Sequence, residues 1–400
     1  MKKSCDVLIV GAGIVGLTVA WELINRDPSL KIIILEKESS IGQHASGRNS
    51  GVLHSGIFYA DDSLKAKLCA SGSRQMQEFS NEHKIACNKS GKVIVATSES
   101  DLEIIDKLMK NAQANGVIAK KLNEKEVKDI EPYANVFQSG IYTPETAVID
   151  SKAVLEKLRY LLKDNNVIFK LSSPLVSQVE ENNTVTTSKD TFSYGYLYNC
   201  AGANADRIAK MFGKANNYTL IPFKGIYYKL NQEKDYLVNS NIYPTPDVKL
   251  PFLGVHITRV IDGNVYIGPT AIPAFGRENY GILKGMNFQE VFEIGSELIK
   301  MYKANRGNFR LLAHNETKKY YKPWFLESAK KLIPSLDSND LISTNKVGIR
   351  PQLVNIKTKK IEMDYVLEQT KNSTHVLNSI SPAFSCAFSF AKYIINYSGK

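Results

Sequence analysis

A buried strand running straight into a glycine loop constrains this chain more than any other feature: Val7 to Val10 is an unbroken apolar run, followed by Gly11, Gly13 and Gly16. Such a run is expected of a strand covered on both faces in a parallel sheet. In the G-x-G-x-x-G spacing, Gly11 permits a tight turn, Gly13 lets a pyrophosphate approach the backbone, and Gly16 lets a helix pack closely on the strand. Ile14, Leu17, Trp21 and Ile24 recur at helical spacing, so the helix aims its free N–H groups and positive dipole end at the phosphates. A second strand, Ile32 to Leu35, closes with Glu36, 20 residues beyond Gly16, where a carboxylate can accept from a ribose hydroxyl. The glycines alone would also suit a turn with no ligand; strand, helix, strand and acid together point to a dinucleotide.

At 400 residues the chain has room for two or three domains, and 43% apolar with 23% charged residues is ordinary for a soluble globular enzyme. No apolar run approaches the roughly 18 residues of a membrane span, and Met1 to Ser4 leads directly into the first strand rather than a signal sequence. The expected location is the cytoplasm. The five cysteines (Cys5, Cys69, Cys87, Cys200, Cys386) are scattered and lack C-x-x-C, so they read as reduced thiols rather than a disulfide framework or metal site. The formal charge of +11 favours an anionic substrate, membrane surface or nucleic acid, yet the lysines are spread in twos and threes as on a solvated face. The exception is Lys318 to Phe325, KKYYKPWF, where basic and aromatic residues interleave as at a lipid or protein surface.

Between Glu36 and the next helix lies a long polar stretch, Lys37 to Asn49, and then the glycine-bounded Ser50 to Gly56. NAD has little use for it, whereas a flavin needs backbone donors along its ribityl chain and ring. Lys37, Asn49, Ser50 and Gly51 are therefore candidate cofactor contacts. Helices are expected at Ser63 to Phe79, at Asp101 to Asn115 with Ser100 as cap, after Asn123, and at Ser151 to Lys163 capped by Asp150. Strands follow at Val167 to Lys170, Leu175 to Glu180 (with Val176 a candidate cofactor contact), Thr184 to Thr187 and Phe192 to Cys200. The last ends in Ala201-Gly202-Ala203, small residues that let a cofactor lie against the backbone or else form a left-handed turn into a helix. From Ile221 to Tyr320 alternating strands and tight turns, with a helix at Phe288 to Ala304, read as an antiparallel substrate domain. The nucleotide-binding pattern returns with Gly348 and with Ser381, Pro382 and Ala383, where Ser at N-cap and Pro at N1 open a helix. That N-terminus would stabilise negative charge on a reduced flavin. The fold class is α/β, α+β overall: a Rossmann-like FAD-binding domain from residues 1–90, 150–215 and 345–400, and a largely antiparallel β substrate domain from 91–149 and 216–344.

These residues resemble the D-amino-acid-oxidase-like FAD-dependent oxidoreductases, and within them the L-2-hydroxyglutarate oxidase/dehydrogenase family. The passages that carry the resemblance are GRNSGVLHSGIFYADDSLKAKLC (Gly47 to Cys69), IYPTPDVKLPFLGVHITRVIDGNVYIGP (Ile242 to Pro269), VGIRPQL (Val347 to Leu353) and HVLNSISPAFSCAFSFAKYI (His375 to Ile394). Phe384 and Phe388 are larger than the residues usual there in the family. The resemblance implies FAD as cofactor and oxidation of L-2-hydroxyglutarate to 2-oxoglutarate by hydride transfer from C2 to flavin N5. Oxygen or a membrane quinone would be the electron acceptor, with peripheral contact on the inner membrane face through Lys318 to Phe325.

Within that chemistry Arg350 is the candidate for the C1 carboxylate, since a guanidinium binds it bidentately and stays charged; a structural arginine on strand-end carbonyls is the alternative. The base should titrate near neutrality, which favours histidine, and His54 and His256 both lie in the family motifs. Lys65, Tyr227 and Arg259 are candidates for the distal carboxylate. Two other functions stay open. One is a related FAD enzyme acting on an amino acid, a secondary amine or glycerol 3-phosphate, which leaves Gly47 to Cys69 unexplained. The other is an FAD-containing nucleic-acid-modifying protein, for which the sequence offers no clustered basic face beyond Lys318 to Phe325; no nucleic acid is expected as partner.

The purified protein should be yellow and release FAD rather than FMN or NAD, and Gly13→Val should abolish binding by filling the space of the pyrophosphate. Chromatography of the released cofactor checks both.

Overall fold

The computed structural model describes residues 2–179, 182–247, 250–282 and 285–400. Glu180, expected to end a strand, and Val248 and Lys249 of the Ile242 to Pro269 passage lie outside the described residues. The first apolar run forms the strand Lys2–Val10, with Leu8 and Ile9 fully buried. It is paired in parallel on one side with Ile32–Leu35 and on the other with Thr191–Asn199. The parallel set continues outward to Ile168–Lys170 at one edge and Ser373–Val376 at the other. The hairpin Leu175–Val179 with Thr184–Thr187, and the strand Leu367–Gln369, complete eight strands. Parallel strands covered on both faces must be apolar throughout. Here the helices Ile14–Arg26, Leu64–Glu82, Ser151–Asp164 and Ala387–Ser398 contribute to the core on one face. The hairpin and the helix Ala205–Met211 help cover the other.

Local signals for several elements hold. Ser63 Oγ accepts from Ala66 N, Asn123 from Glu126 N, and Asp150 from Lys152 and Ala153 N, so each caps the helix assigned to it. The cap expected at Ser100 differs. The Asp101 carboxylate accepts from the N–H groups of Thr97 and Ser98 at 2.8 and 3.1 Å, and a single 3-10 turn precedes the helix Leu102–Ala114. The helix Phe288–Ala304 has the expected bounds.

The second sheet has nine strands and is antiparallel apart from one pair, Asn241–Pro244 with Lys92–Val95. Its longest members are Tyr218–Leu230 and Leu341–Asn355, paired from Tyr218↔Asn355 to Leu230↔Leu341. That pairing corrects one boundary. Residues 345–355, assigned from sequence to the cofactor domain, hydrogen-bond along the strand of the other sheet, and the chain returns only after Asn355. A small sheet of Val52–Leu53, Ala147–Ile149 and Cys87–Asn88 lies where the parts of the chain meet. Cys5, Cys69, Cys200 and Cys386 are buried free thiols and Cys87 is a half-buried one. Among the described residues no helix is long and apolar enough to cross a membrane.

Gly72 sets how closely the helices Leu64–Glu82 and Ala387–Ser398 approach, since a Cβ there would lie 2.5 Å from Cys386 Cα. Gly72→Ala should therefore force the helices apart and lower stability by about 1–3 kcal/mol, the usual range for overpacking, in a urea titration of the holoenzyme.

Candidate active site

A cavity of about 930 Å³ runs between the two sheets, and its two ends differ in chemistry. Gly11, Gly13, Ile14, Glu36 and Lys37 line one end, with Ala201 and Gly202 opposite. Gly11 has φ +105° and a Cβ there would meet the Cys200 carbonyl at 2.5 Å, so only glycine fits between the strands. Gly16 does not reach the cavity; its missing Cβ is what lets the helix rest on the Gly11 carbonyl. A Cβ at Gly13 would meet only the Ser46 hydroxyl at 3.0 Å, and that same hydroxyl accepts from Ile14 N. Glu36 accepts from Ala12 N and Glu38 N, both at 2.9 Å, which fixes the carboxylate at the cavity wall. A glycine cradle at a helix N-terminus beside an oriented acid fits the pyrophosphate and ribose of FAD.

Lys37 is held among acids. Its ammonium donates to Glu278 at 2.5 Å and to Glu38, and lies 3.0 Å from His44 Nε2. Burial works against its charge, but these bonds raise its pKa above the ordinary value. Glu38, His44 and Glu278 converge as a cation cage would, and the ammonium fills it. Nearby, Arg277 donates to Asp206 Oδ2 at 2.9 Å in a buried pair, and Arg207 reaches Glu290 and Glu293 at 2.6 and 3.0 Å. These contacts tie the segment after Ala274 across the cavity.

Along the middle, Asn49 and Ser50 line the cavity. Asn49 Oδ1 accepts from Gly51 N at 2.8 Å. Gly51 itself does not line it; its φ is +76°, and a Cβ there would meet the Ile149 carbonyl at 2.8 Å. Gly348 lines the wall because it lacks a Cβ that would meet the Arg48 carbonyl. Ser381, Pro382 and Ala383 also line it, but not as a helix N-terminus. The helix begins at Ala387, and 381–386 forms turns in which Ala383 N donates to Ile380 O. Within that turn the Ser385 hydroxyl accepts from His54 N at 3.0 Å and donates to Val52 O, so the turn holds the segment Val52 to His54. Val176 is a second correction: it is 56% exposed on the outer face of its strand, and its neighbours Ser173, Pro174 and Leu175 line the cavity instead.

The other end brings together His54, His256, Tyr227 and Arg350. Arg350 sits opposite Phe223 in the long strand pair, with its guanidinium 5.0 Å from the centre of the Phe252 ring. Among the described residues no carboxylate lies within ion-pair distance of it. His256 is buried, and its Nδ1–H donates to the Gly254 carbonyl at 3.0 Å, which leaves Nε2 as the accepting nitrogen. Burial pushes its pKa down to about 4, opposed by that hydrogen bond and aided by Arg350 and Lys92. Burial, Lys92, His256 and Arg350 push His54 to about 3. Burial raises the Tyr227 hydroxyl to about 12.

Two candidates for the distal carboxylate lie elsewhere. Arg259 spends its guanidinium on the carbonyls of Val238, Gly263 and Asp235, at 2.5–3.0 Å, and fastens the hairpin. Lys65 is buried behind the wall, with its ammonium 5.7 Å from the Tyr59 ring and 5.9 Å from that of Tyr365; burial and Arg350 lower its pKa to about 8. Sequence reasoning passed over Ser46, Ser385 and Lys92; a lysine opening an otherwise apolar strand, KVIV, was the available signal for the last.

The sequence pattern described as FAD dependent oxidoreductase matches residues 6–396. A protein of Indibacter alkaliphilus named L-2-hydroxyglutarate dehydrogenase is 36% identical, over 99% of each chain. One of the same name from Escherichia coli K12 is 33% identical, over 98% of this chain and 92% of its own. Among solved structures, an L-alpha-glycerophosphate oxidase from Mycoplasma pneumoniae with FAD bound superposes with a TM-score of 0.77 at 22% identity, over 100% of this chain and 95% of its own. A glycine oxidase from Geobacillus kaustophilus does so with 0.71 at 15%, over 99% and 94%. With its cradle for FAD and a match across nearly its whole length, the chain belongs to the FAD-dependent oxidoreductase family.

Proposed function

We propose that this enzyme oxidises L-2-hydroxyglutarate to 2-oxoglutarate. The observation that carries the reading is Arg350, a cation with no carboxylate partner among the described residues, facing the same cavity as two neutral imidazoles. Full-length relatives bearing the corresponding name support the substrate class. When bound, FAD supplies the hydride acceptor. The remaining work falls to the chain. Arg350 holds the C1 carboxylate through two parallel N–H···O bonds and so fixes C2 along the cavity. His256, with Nε2 as its accepting nitrogen, takes the hydroxyl proton, while His54 stays neutral beside it. The division of labour follows the sheets: the parallel one holds the cofactor, and the nine-stranded one, including Leu341–Asn355, holds the substrate. The electron acceptor in this reading is oxygen or a membrane quinone. Contact with an anionic bilayer is made by Tyr320, Tyr321 and Trp324, which are 50, 66 and 52% exposed beside Lys318, whereas Phe325 is fully buried and takes no part.

Arg350→Met should lose about ten- to a hundredfold in kcat/KM, from a charge-assisted hydrogen bond worth roughly 1.5–3 kcal/mol and from misplacement of C2. Arg350→Lys should fall between, with FAD content and Tm unmoved in both. A Met variant that is flavin-free or unstable, with normal turnover of the residual holoenzyme, would make Arg350 structural. Anaerobic bleaching of the flavin band by a panel of 2-hydroxy acids, amines and glycerol 3-phosphate tests the substrate class. For the bilayer, replacing Tyr320, Tyr321 and Trp324 with serine should move protein from pelleted anionic liposomes to the supernatant; no change removes that contact from the reading.

A further inference from the structure

Lys92 opens the strand Lys92–Val95, and its side chain is 0% exposed. Its nitrogen has no hydrogen-bond partner among the described residues. It lies 4.6 Å from the centre of the Phe58 ring and 5.1 Å from that of Tyr243. The Tyr243 ring in turn stacks on the His256 imidazole, with centroids 4.0 Å apart and planes at 24°. One aromatic ring thus stands between a bare buried amine and the proposed base.

Such an amine is unfavourable for folding. Aromatic faces recover only part of the hydration that an ammonium loses, and a methionine of similar length would fill the same space without a charge. Burial accordingly pulls the Lys92 pKa down to about 7, with only the Cys69 thiol acting in the other direction. A group that weakens the fold and still occupies its interior calls for a role in the site.

We propose that Lys92 is a positioning residue for the oxidation: through the Tyr243 ring it fixes the plane of His256, and its ammonium adds to the burial that keeps His256 and His54 in the neutral, proton-accepting form. This rests on the reading of His256 as base. The other groups bearing on the imidazoles come from every neighbouring element. Arg350 acts from Leu341–Asn355 with the same sign as Lys92. The Tyr227 hydroxyl faces Arg350 from Tyr218–Leu230, and Lys65 and Cys69 belong to Leu64–Glu82. Glu316 acts on Arg350 and Asp364 on Lys65. With His256 held to about 4 and His54 to about 3, both rings are neutral throughout the range in which Lys92 is charged and either ring would ordinarily titrate. Removing the ammonium removes one of the charges that disfavour imidazolium, so the imidazole pKa values rise.

The test compares FAD-saturated wild-type, Lys92→Met and Lys92→Arg enzymes. In the Met variant the acid limb of kcat/KM should move up by about one pH unit, a tenfold loss below the limb, as expected for a charge felt across one ring. The Arg variant should restore the limb. NMR titration of the imidazole protons should show the same displacement without turnover. Stability gives a third readout. A lysine whose pKa is depressed on folding penalises the folded state increasingly as pH falls from about 10 to about 7, so the Met variant should melt higher, by a margin that widens over that interval. An unmoved limb with unmoved imidazole titrations overturns the proposal, as does a Met variant that melts lower or fails to fold. Failure of the parent reading looks different: His256→Asn would then leave the acid limb in place, while Lys92→Met would still shift the imidazole resonances.

Discussion

Backbone resting on backbone at the first glycine loop is the contact on which the rest is hung. Gly11 faces the Cys200 carbonyl on one side, and Gly16 faces the Gly11 carbonyl on the other. Two glycines therefore bring the first helix onto the first strand and that strand against Thr191–Asn199 with no side chain between. Any Cβ would part those elements and widen the crevice at the carboxyl ends of the strands, where nucleotides bind in open α/β sheets. The pairing Val10↔Asn199 places Ala201 and Gly202 next to the loop, so both banks of the cofactor site follow from one close approach.

The opposite end of the cavity is organised by charge rather than by space. Arg350, Lys92, Lys65, His54 and His256 are gathered from five separate segments, and most of the acids near them are spent elsewhere: Asp364 caps Leu64–Glu82 through Leu64 N and Lys65 N, and Glu316 pairs with Lys319 and Ala271 N. A protein interior does not hold uncompensated cations such as Arg350, Lys92 and Lys65 for stability. Their concentration beside a cavity is the arrangement expected where an anion is to be received.

The cofactor half was legible from sequence because its rules are local. Glycines at fixed spacing, a helical apolar stripe and an acid at the end of the next strand lie within one short stretch, and Glu36, Gly11 and Gly13 stand where that reasoning puts them. The substrate half was legible only through motifs. His54, His256, Tyr227 and Arg350 do meet, but nothing within any one segment says which neighbour it will face. Arg259 illustrates the difficulty: an arginine at a strand end looks the same in sequence whether its guanidinium meets a ligand or three carbonyls of its own hairpin. Val176, named as a cofactor contact, stands one residue of alternation from Leu175, which lines the cavity, and the helix expected at Ser381 starts only at Ala387, after a turn whose Ser385 meets a residue more than 300 positions away. Long-range pairing also moved the strand of Arg350 to the other sheet.

If His256 is the base, burial above all, with the field of Arg350 and Lys92 besides, makes it weak at about 4, and that field also resolves the difficulty. Burial first, then Arg350 and Lys92, disfavour imidazolium at His256, so the proposed base stays unprotonated in mildly acidic conditions. A dicarboxylate entering beside Arg350 brings negative charge into the same low-dielectric space and cancels part of that field. Proton and anion then bind cooperatively, and by reciprocity the imidazole becomes more basic when the anion is seated. Basicity at His256 is thereby coupled to occupancy. On that reading the proton acceptor strengthens when there is a hydroxyl to deprotonate, and the surplus of cations around His256 supplies that coupling.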